Sequence, residues 1–227
     1  LLLIAGDLYD GDWKDYNTGL FFIRQMARLN QADIPVVMIR GNHDAASQLS
    51  KSLRLPENVF DLSTRKPQTK IFEDLDIAVH GRGYPQRDVN ENLVADYPQA
   101  LTDYFNIGLL HTALDGRDGH APYAPCSISD LVSKGYDYWA LGHVHQREVI
   151  QQNPWIVFSG NVQGRHIRES GNKGATLVSV DEGLITAVEH RSLDVVRWEL
   201  IDIELSTVIS SDEMLSQIHQ CLKQTAQ

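Results

Sequence analysis

The sequence predicts a mixed α/β fold. Three observations carry that prediction: short apolar runs end in polar turn residues, a helix-period segment separates the first two of them, and the later runs follow one another with no long helix between. Apolar runs bounded by turn residues and joined through a helix read as βαβ, with buried parallel strands. Runs without an intervening helix read as antiparallel pairs. At about 150 residues per domain, 227 residues make one large domain, or one domain plus a fragment. A hydrophobic content of 42% is enough to fill a core.

Each element has a local reason. Leu1-Leu2-Leu3-Ile4-Ala5 is a short apolar strand closed by Gly6-Asp7. Residues 18–30 carry Leu20, Ile23, Met26 and Ala27 at helical spacing. Residues 34–39 form a second apolar strand, ending in Arg40-Gly41-Asn42-His43-Asp44. Residues 71–79 have strand character interrupted by Glu73-Asp74, and the polar stretch 91–102 reads as helical. Residues 105–110 are an apolar strand closing on His111, and 128–134 a short helix with Ser127 as its cap. Residues 136–141 are a strand running into Gly142-His143-Val144-His145. Residues 155–158, 175–180, 185–190 and 198–204 are strand-like and predicted to pair antiparallel. The last helix starts with the capping box Ser210-x-x-Glu213 and carries the stripe Met214, Leu215, Ile218, Cys221 and Leu222.

Composition excludes some functions. The net charge of −10 argues against the overall basic surface of a passive nucleic-acid binder, without excluding an enzyme that touches nucleic acid locally. No apolar run approaches the roughly 18 residues of a membrane span. Two cysteines, Cys126 and Cys221, make no disulfide framework, which points to a reducing cytoplasm. The chain opens on Leu1 rather than Met. The short run before Gly6 lacks a basic flank, so it reads as a strand and not a signal peptide, with residues expected upstream.

The chemistry sits at strand ends. Asp7, Asn42-His43, His111 and the pair His143 and His145 each follow an apolar strand. In open α/β sheets, sites form at the carboxyl ends of strands, so distant positions converge on one crevice. Asp, Asn and imidazole without thiolate suit a borderline-to-hard divalent ion such as manganese, iron or zinc. Gly-His-x-His carries the most weight, because alternate residues of an extended segment point the same way. Taken singly, each has a bland alternative: Gly-Asp as a turn, His111 as a satisfied core histidine.

Together, Gly6-Asp7-x-x-Asp10, Gly41-Asn42-His43-Asp44, His111 and Gly142-His143-Val144-His145 resemble the calcineurin-like metallophosphoesterases, over residues 1 to about 190. Leu8-Tyr9-Asp10 and the tract from Ser159 to Glu169, followed by Lys173-Gly174, are similar to SbcD-type DNA repair exonucleases, with the YhaO-type subgroup nearest. The resemblance implies a four-layer α/β/β/α fold, a β-sandwich of mixed sheets flanked by helices. It also implies two divalent metal ions, Mn2+ first and Fe, Zn or Mg as alternatives. Asp7 would bridge both ions, Asn42, His111 and His143 would complete one shell, and His145 would serve the other. That second ion would also take an Asp-x-His pair from a strand before Leu1.

Two such cations, roughly 3.5–4 Å apart, would acidify a bridging water and hold the phosphate oxygens. His43 matches the family's non-ligand histidine, a proton donor to the leaving group or a stabiliser of phosphate charge, and imidazoles exchange protons near neutral pH. Asp44 is placed either to orient His43 or to cap the next helix. Asp10 is either a carboxylate behind the ligands or a solvated loop residue beside Asp12. Arg165, His166 and Arg168, joined by Lys173, form a basic cluster suited to a DNA backbone, or else a solvated turn.

The resemblance implies partners too: DNA, an SMC-like coiled-coil ATPase and a second copy of the chain. The leading expectation is a two-metal DNA phosphodiesterase. The alternatives are the same chemistry on nucleotides, cyclic nucleotides or phosphoproteins, and a non-catalytic scaffold. Residues 191–227 are expected to begin a capping domain, and 176–227 hold nine acidic and three basic side chains, so much of the acidity lies away from the motifs.

Overall fold

A computed structural model of the chain describes residues 1–9, 16–46, 53–114 and 123–225. The expected βαβ opens it. β1 (Leu2–Ile4) and β2 (Val36–Met38) pair in parallel across the crossover helix α1 (Tyr16–Gln31), and β3 (Val59–Asp61) adds in parallel on the other side of β2. The order of this three-stranded sheet is β1-β2-β3. β2 is apolar throughout because both of its faces are buried. Val36 and Met38 pack on Phe22 and Met26 of α1, while Val37 and its neighbour Ile39 face the second sheet. The buried stripe of α1 is Gly19, Phe22 and Met26, one residue away from the predicted one, and Leu20 is half exposed.

The second sheet has six strands: β4 (Gln68–Phe72), β5 (Ile77–Gly81), β6 (Phe105–His111), β7 (Tyr138–Gly142), β9 (Trp155–Phe158) and β8 (Glu148–Gln152), in the order β4-β5-β6-β7-β9-β8. The four central strands are parallel, and β4 and β8 run antiparallel at the edges. Its inner face packs Val79, Ile107, Leu109 and Val157 against Val37 and Ile39. Its outer face buries Trp139, Leu110, Leu141 and Phe158 beneath Leu131 of α3 (Ile128–Val132) and the loops around Tyr84 and Leu93. The layers are therefore α1, three-stranded sheet, six-stranded mixed sheet, then α3 with its loops, which is the predicted four-layer fold.

The structure differs from the sequence expectations in several places. Residues 91–102 are not helical beyond a 3-10 turn at Leu93–Asp96. The Asn92 side chain caps the turn, and Pro98 restricts the residue before it to extended backbone. The buried Lys134 ammonium then takes the carbonyls of Ala95 and Tyr97. The predicted strand 71–79 is two strands, β4 and β5, split by a 3-10 turn at Glu73–Leu75. Residues 198–204 have no strand partner among the described residues. The predicted antiparallel pairing holds for β10 (Gly174–Asp181) and β11 (Leu184–Ser192), and β9 is antiparallel to β8 on one side but parallel to β7 on the other. Val178, Ile185 and Val188 of this hairpin pack against the sandwich core.

Ser127 caps α3 as expected, and Asp130 reaches back to complete a capping box. Of the capping box expected at the last helix, α4 (Ser211–Thr225), one half forms: Glu213 donates its N–H to the Ser210 hydroxyl, while its carboxylate takes the Ile209 N–H instead of that of Ser210. Among the described residues no helix is long and apolar enough to cross a membrane.

Candidate metal centre

Four strands deliver the site. Asp7 follows β1, Asn42 and His43 open α2 (Asn42–Ala46) after β2, His111 ends β6, and His143 follows β7. Among the described residues, Asp7, His111 and His143 form a cluster whose ligand atoms all lie within 4.8 Å of one another. Asn42 belongs with them, its Oδ1 lying 2.9 Å from His111 Nε2, and Asp7 Oδ2 lies 3.3 Å from the same nitrogen.

The tautomer of His111 follows from its other contact. Nδ1 lies 2.8 Å from the carbonyl oxygen of Ala5, which can only accept, so Nδ1 carries the proton. In the neutral ring, Nε2 then offers a lone pair to a space where Asn42 Oδ1 and an Asp7 oxygen also point. Three electron-rich atoms converging on one space suit a cation held among them. A histidine oriented through its far nitrogen by a backbone carbonyl is the usual support of a metal ligand. The donor set is nitrogen and oxygen without sulfur, and it fits a divalent ion of the manganese, iron or zinc type.

The backbone is shaped to bring these atoms together. Gly6 and Asp7 both adopt left-handed φ, +89° and +52°, so the chain turns sharply off β1. A side chain on Gly41 would meet Asp7 Oδ1 at 2.3 Å and His111 Cε1 at 2.7 Å, so a hydrogen is all that fits between the two loops. His143 has φ +97°. The Gly142–His145 segment is therefore not extended, and the expectation that its two imidazoles share one side of a strand is corrected. His143 turns toward Asp7 and His111, and His145 goes to a separate partner. Left-handed non-glycine residues cost about 1–3 kcal/mol each and concentrate at functional sites.

The Asp7 carboxylate is anchored by the His43 N–H at 2.9 Å. Burial alone would raise its pKa, but the His111 hydrogen bond and charge, with the His43 contacts, outweigh burial and hold it below the usual carboxylate range. His43 sits half-buried in the first turn of α2, beside Asp7. The Asp44 carboxylate, almost wholly buried, accepts the N–H groups of Gly41 (3.0 Å), Tyr9 (3.1 Å) and Leu8 (3.2 Å). It ties the Gly6 loop to the start of α2. Burial raises its pKa, partly offset by those three donors, and Asp7 raises it further.

His145 stands outside the three-residue cluster. Its Nδ1 lies 2.6 Å from Glu169 Oε1, and Arg165 Nη2 lies 3.5 Å from the same carboxylate oxygen. His166 is exposed, with Nε2 3.9 Å from Glu169, and Arg168 is exposed with its N–H on His166 Nδ1. Lys173, by contrast, is buried against Gln146. Asp10 lies outside the described residues. Two supporting groups were not singled out from sequence: Glu169, and Tyr84, which donates its hydroxyl to the His111 carbonyl and packs edge-on against the ring. Neither sits in a strand-end motif; the acidic residue four positions after Arg165 was the available signal for Glu169.

The model of the calcineurin-like phosphoesterases matches residues 1–147. The chain belongs to the calcineurin-like phosphoesterase family. It is also 40% identical, over 209 residues, to the uncharacterized metallophosphoesterase YhaO of Bacillus subtilis (strain 168), a match covering 90% of this chain and 51% of that protein. The chain thus spans about half the length of the curated relative it matches. The matched region of this phosphoesterase contains Asp7, Asn42, His43, His111, His143 and His145, and ends before the loop that carries Arg165 and Glu169.

Proposed function

We propose that this protein hydrolyses phosphodiester bonds of DNA with the help of divalent metal, Mn2+ first among the candidates. The observation that carries the reading is the convergence of Asp7, Asn42, His111 and His143, with the His111 ring oriented by Ala5. Bound there, and beside His145, divalent metal supplies positive charge to phosphoryl oxygens and an acidified water as nucleophile. The chain's own residues do the rest. Asp7, Asn42 and the imidazoles define where the phosphate must sit. His43, in the first turn of α2 with its N–H on Asp7, is the proton donor for the leaving oxygen. Asp44 keeps the Asp7 and Asn42 loops in register through its three backbone donors.

Support for DNA as substrate comes from the loop behind His145. Arg165 and His166 are exposed there and flank Glu169, so a backbone phosphate adjacent to the scissile one would meet positive charge. The resemblance to SbcD-type exonuclease subunits adds to this reading. It extends the proposal to an SMC-like coiled-coil ATPase partner and to pairing with a second copy.

The test is hydrolysis of bis-p-nitrophenyl phosphate and of linear single- and double-stranded DNA with Mn2+, with His43→Ala and Arg165→Ala alongside. Both substrates should be cleaved, His43→Ala should lose about 10²-fold or more in rate, and Arg165→Ala should lose DNA cleavage preferentially. Hydrolysis of the small diester but not DNA would reassign the substrate to nucleotides. Mn2+-dependent cleavage no greater than that of His43→Ala would refute the catalytic reading.

A further inference from the structure

We propose that Glu169 is the positioning residue that sets His145 as a metal ligand, an inference that rests on the metal-dependent reading above. Glu169 lies on the loop between β9 and β10, outside every strand-end motif, and its side chain is only 9% exposed. Each of its oxygens is committed. Oε1 takes His145 Nδ1 at 2.6 Å, and Oε2 takes the Arg165 N–H at 2.8 Å and the Asn161 side-chain amide at 3.1 Å. A buried carboxylate with this many donors has one place to be.

The consequence for His145 is chemical. An ionised carboxylate can only accept, so Nδ1 carries the ring proton and Nε2 is left as the electron-pair donor. The Arg165 guanidinium, 3.2 Å from the same Nδ1, therefore serves the carboxylate and not the ring. The side chain of His145 is 38% exposed, so packing alone does not hold it. The carboxylate supplies the missing restraint and makes the imidazole a better donor. His111 is held by the same logic, with the Ala5 carbonyl in place of a carboxylate.

The loop that carries Glu169 is itself pinned. Gln163 accepts the N–H of Val195 at 2.9 Å and returns its amide to the Val196 carbonyl. The Gly171 N–H meets the Trp198 carbonyl at 2.8 Å, and the Lys173 carbonyl takes the Leu193 N–H at 2.9 Å. Residues 193–198, which form no strand, thus clamp the outer side of the loop and keep Glu169 behind His145.

The test uses the full chain with Glu169→Ala, Glu169→Gln and His145→Ala. Ring-nitrogen NMR of metal-free protein reads the His145 tautomer, which a merely structural residue would not move. Titration calorimetry with Mn2+ alone reads the site. The Nδ1–H tautomer should dominate in wild type, be retained in Glu169→Gln, whose amide oxygen still accepts, and be lost in Glu169→Ala. Mn2+ affinity should fall about 10–100-fold in Glu169→Ala, with Glu169→Gln between it and wild type. If Glu169→Ala does not fold, a loss of about tenfold in Glu169→Gln, with the tautomer kept, carries the inference. An unchanged tautomer and an unchanged Mn2+ isotherm in either folded variant would overturn it. Failure of wild type to bind Mn2+ would overturn the metal reading instead, independently of the tautomer.

Discussion

Replacing Gly41 by alanine tests how tightly the two loops of the site are joined. The added Cβ would lie 2.3 Å from Asp7 Oδ1, 2.7 Å from Asp7 N and 2.7 Å from His111 Cε1. Two of these neighbours are side chains of the candidate metal cluster and one is backbone, so relief requires the Asp7 loop to move. Overpacking of this kind costs about 1–3 kcal/mol. Moving the carboxylate also weakens its bond to the His43 N–H, and a hydrogen bond to a charged group contributes about 1.5–3 kcal/mol. The combined loss should be about 2.5–6 kcal/mol if the bond is lost outright, read as a lower urea midpoint at unchanged slope. Mn2+ binding measured by calorimetry should weaken in parallel. Gly183→Ala is the control for open space: its φ of +75° is left-handed, unlike that of Gly41, but nothing lies within 4 Å of the new Cβ. It should cost only the backbone penalty of about 1–2 kcal/mol and leave Mn2+ binding intact. If Gly41→Ala loses no more stability than Gly183→Ala and titrates Mn2+ like wild type, close packing of the two loops is not what holds the site.

Other outcomes follow from the same contacts. Asp44→Asn keeps the shape but has one accepting oxygen for three backbone donors, so it should lower stability by about 2–4 kcal/mol, checked by urea unfolding. Mn2+ at a hundred times its Kd should stabilise the wild type by about 2.7 kcal/mol, seen as a rise in Tm that His111→Ala abolishes. His80 gives a pH dependence. Its ring is wholly buried between Thr69 and Asn106 and stacked on Tyr136; burial pushes its pKa down, and the Asn106 bond opposes that only in part. The unfolded chain therefore takes up a proton near pH 6.5 that the folded chain refuses, so stability present above that pH is lost as pH falls below it. The unfolding free energy from urea titrations should decline by up to about 1.4 kcal/mol per pH unit, and His80→Gln should flatten that slope; an identical slope would remove His80 as its source.

Much of the architecture was legible because burial on two faces leaves a plain mark. Residues 34–39 are apolar throughout, since Val36 and Met38 serve α1 while Val37 and Ile39 serve the second sheet. The same topology explains why Asp7, Asn42, His111 and His143 could be grouped before any coordinates: parallel strands end on one edge, and polar residues there have few structural reasons to exist. What escaped was whatever depends on partners. β3 and β8 are short edge elements whose burial is incomplete, so their patterns are weak. Residues 198–204 have the composition of a strand, yet strand character is a fit to a neighbouring strand, and among the described residues none is there to pair with.

The site shows the same division at the level of single side chains. Ligand identity is a matter of residue type at a strand end, which spacing reveals. Ligand direction is a matter of what stands behind each ring, and that is assembled from afar: Ala5 behind His111 across 106 positions, and Glu169 behind His145 across 24. The extended-strand logic applied to His143 and His145 failed for this reason. Left-handed backbone at His143 lets two rings two positions apart take different partners. Splitting them gives one histidine to the Asp7 cluster and the other to a carboxylate. A regular strand would have delivered both rings to one place; the left-handed turn at His143 delivers them to two.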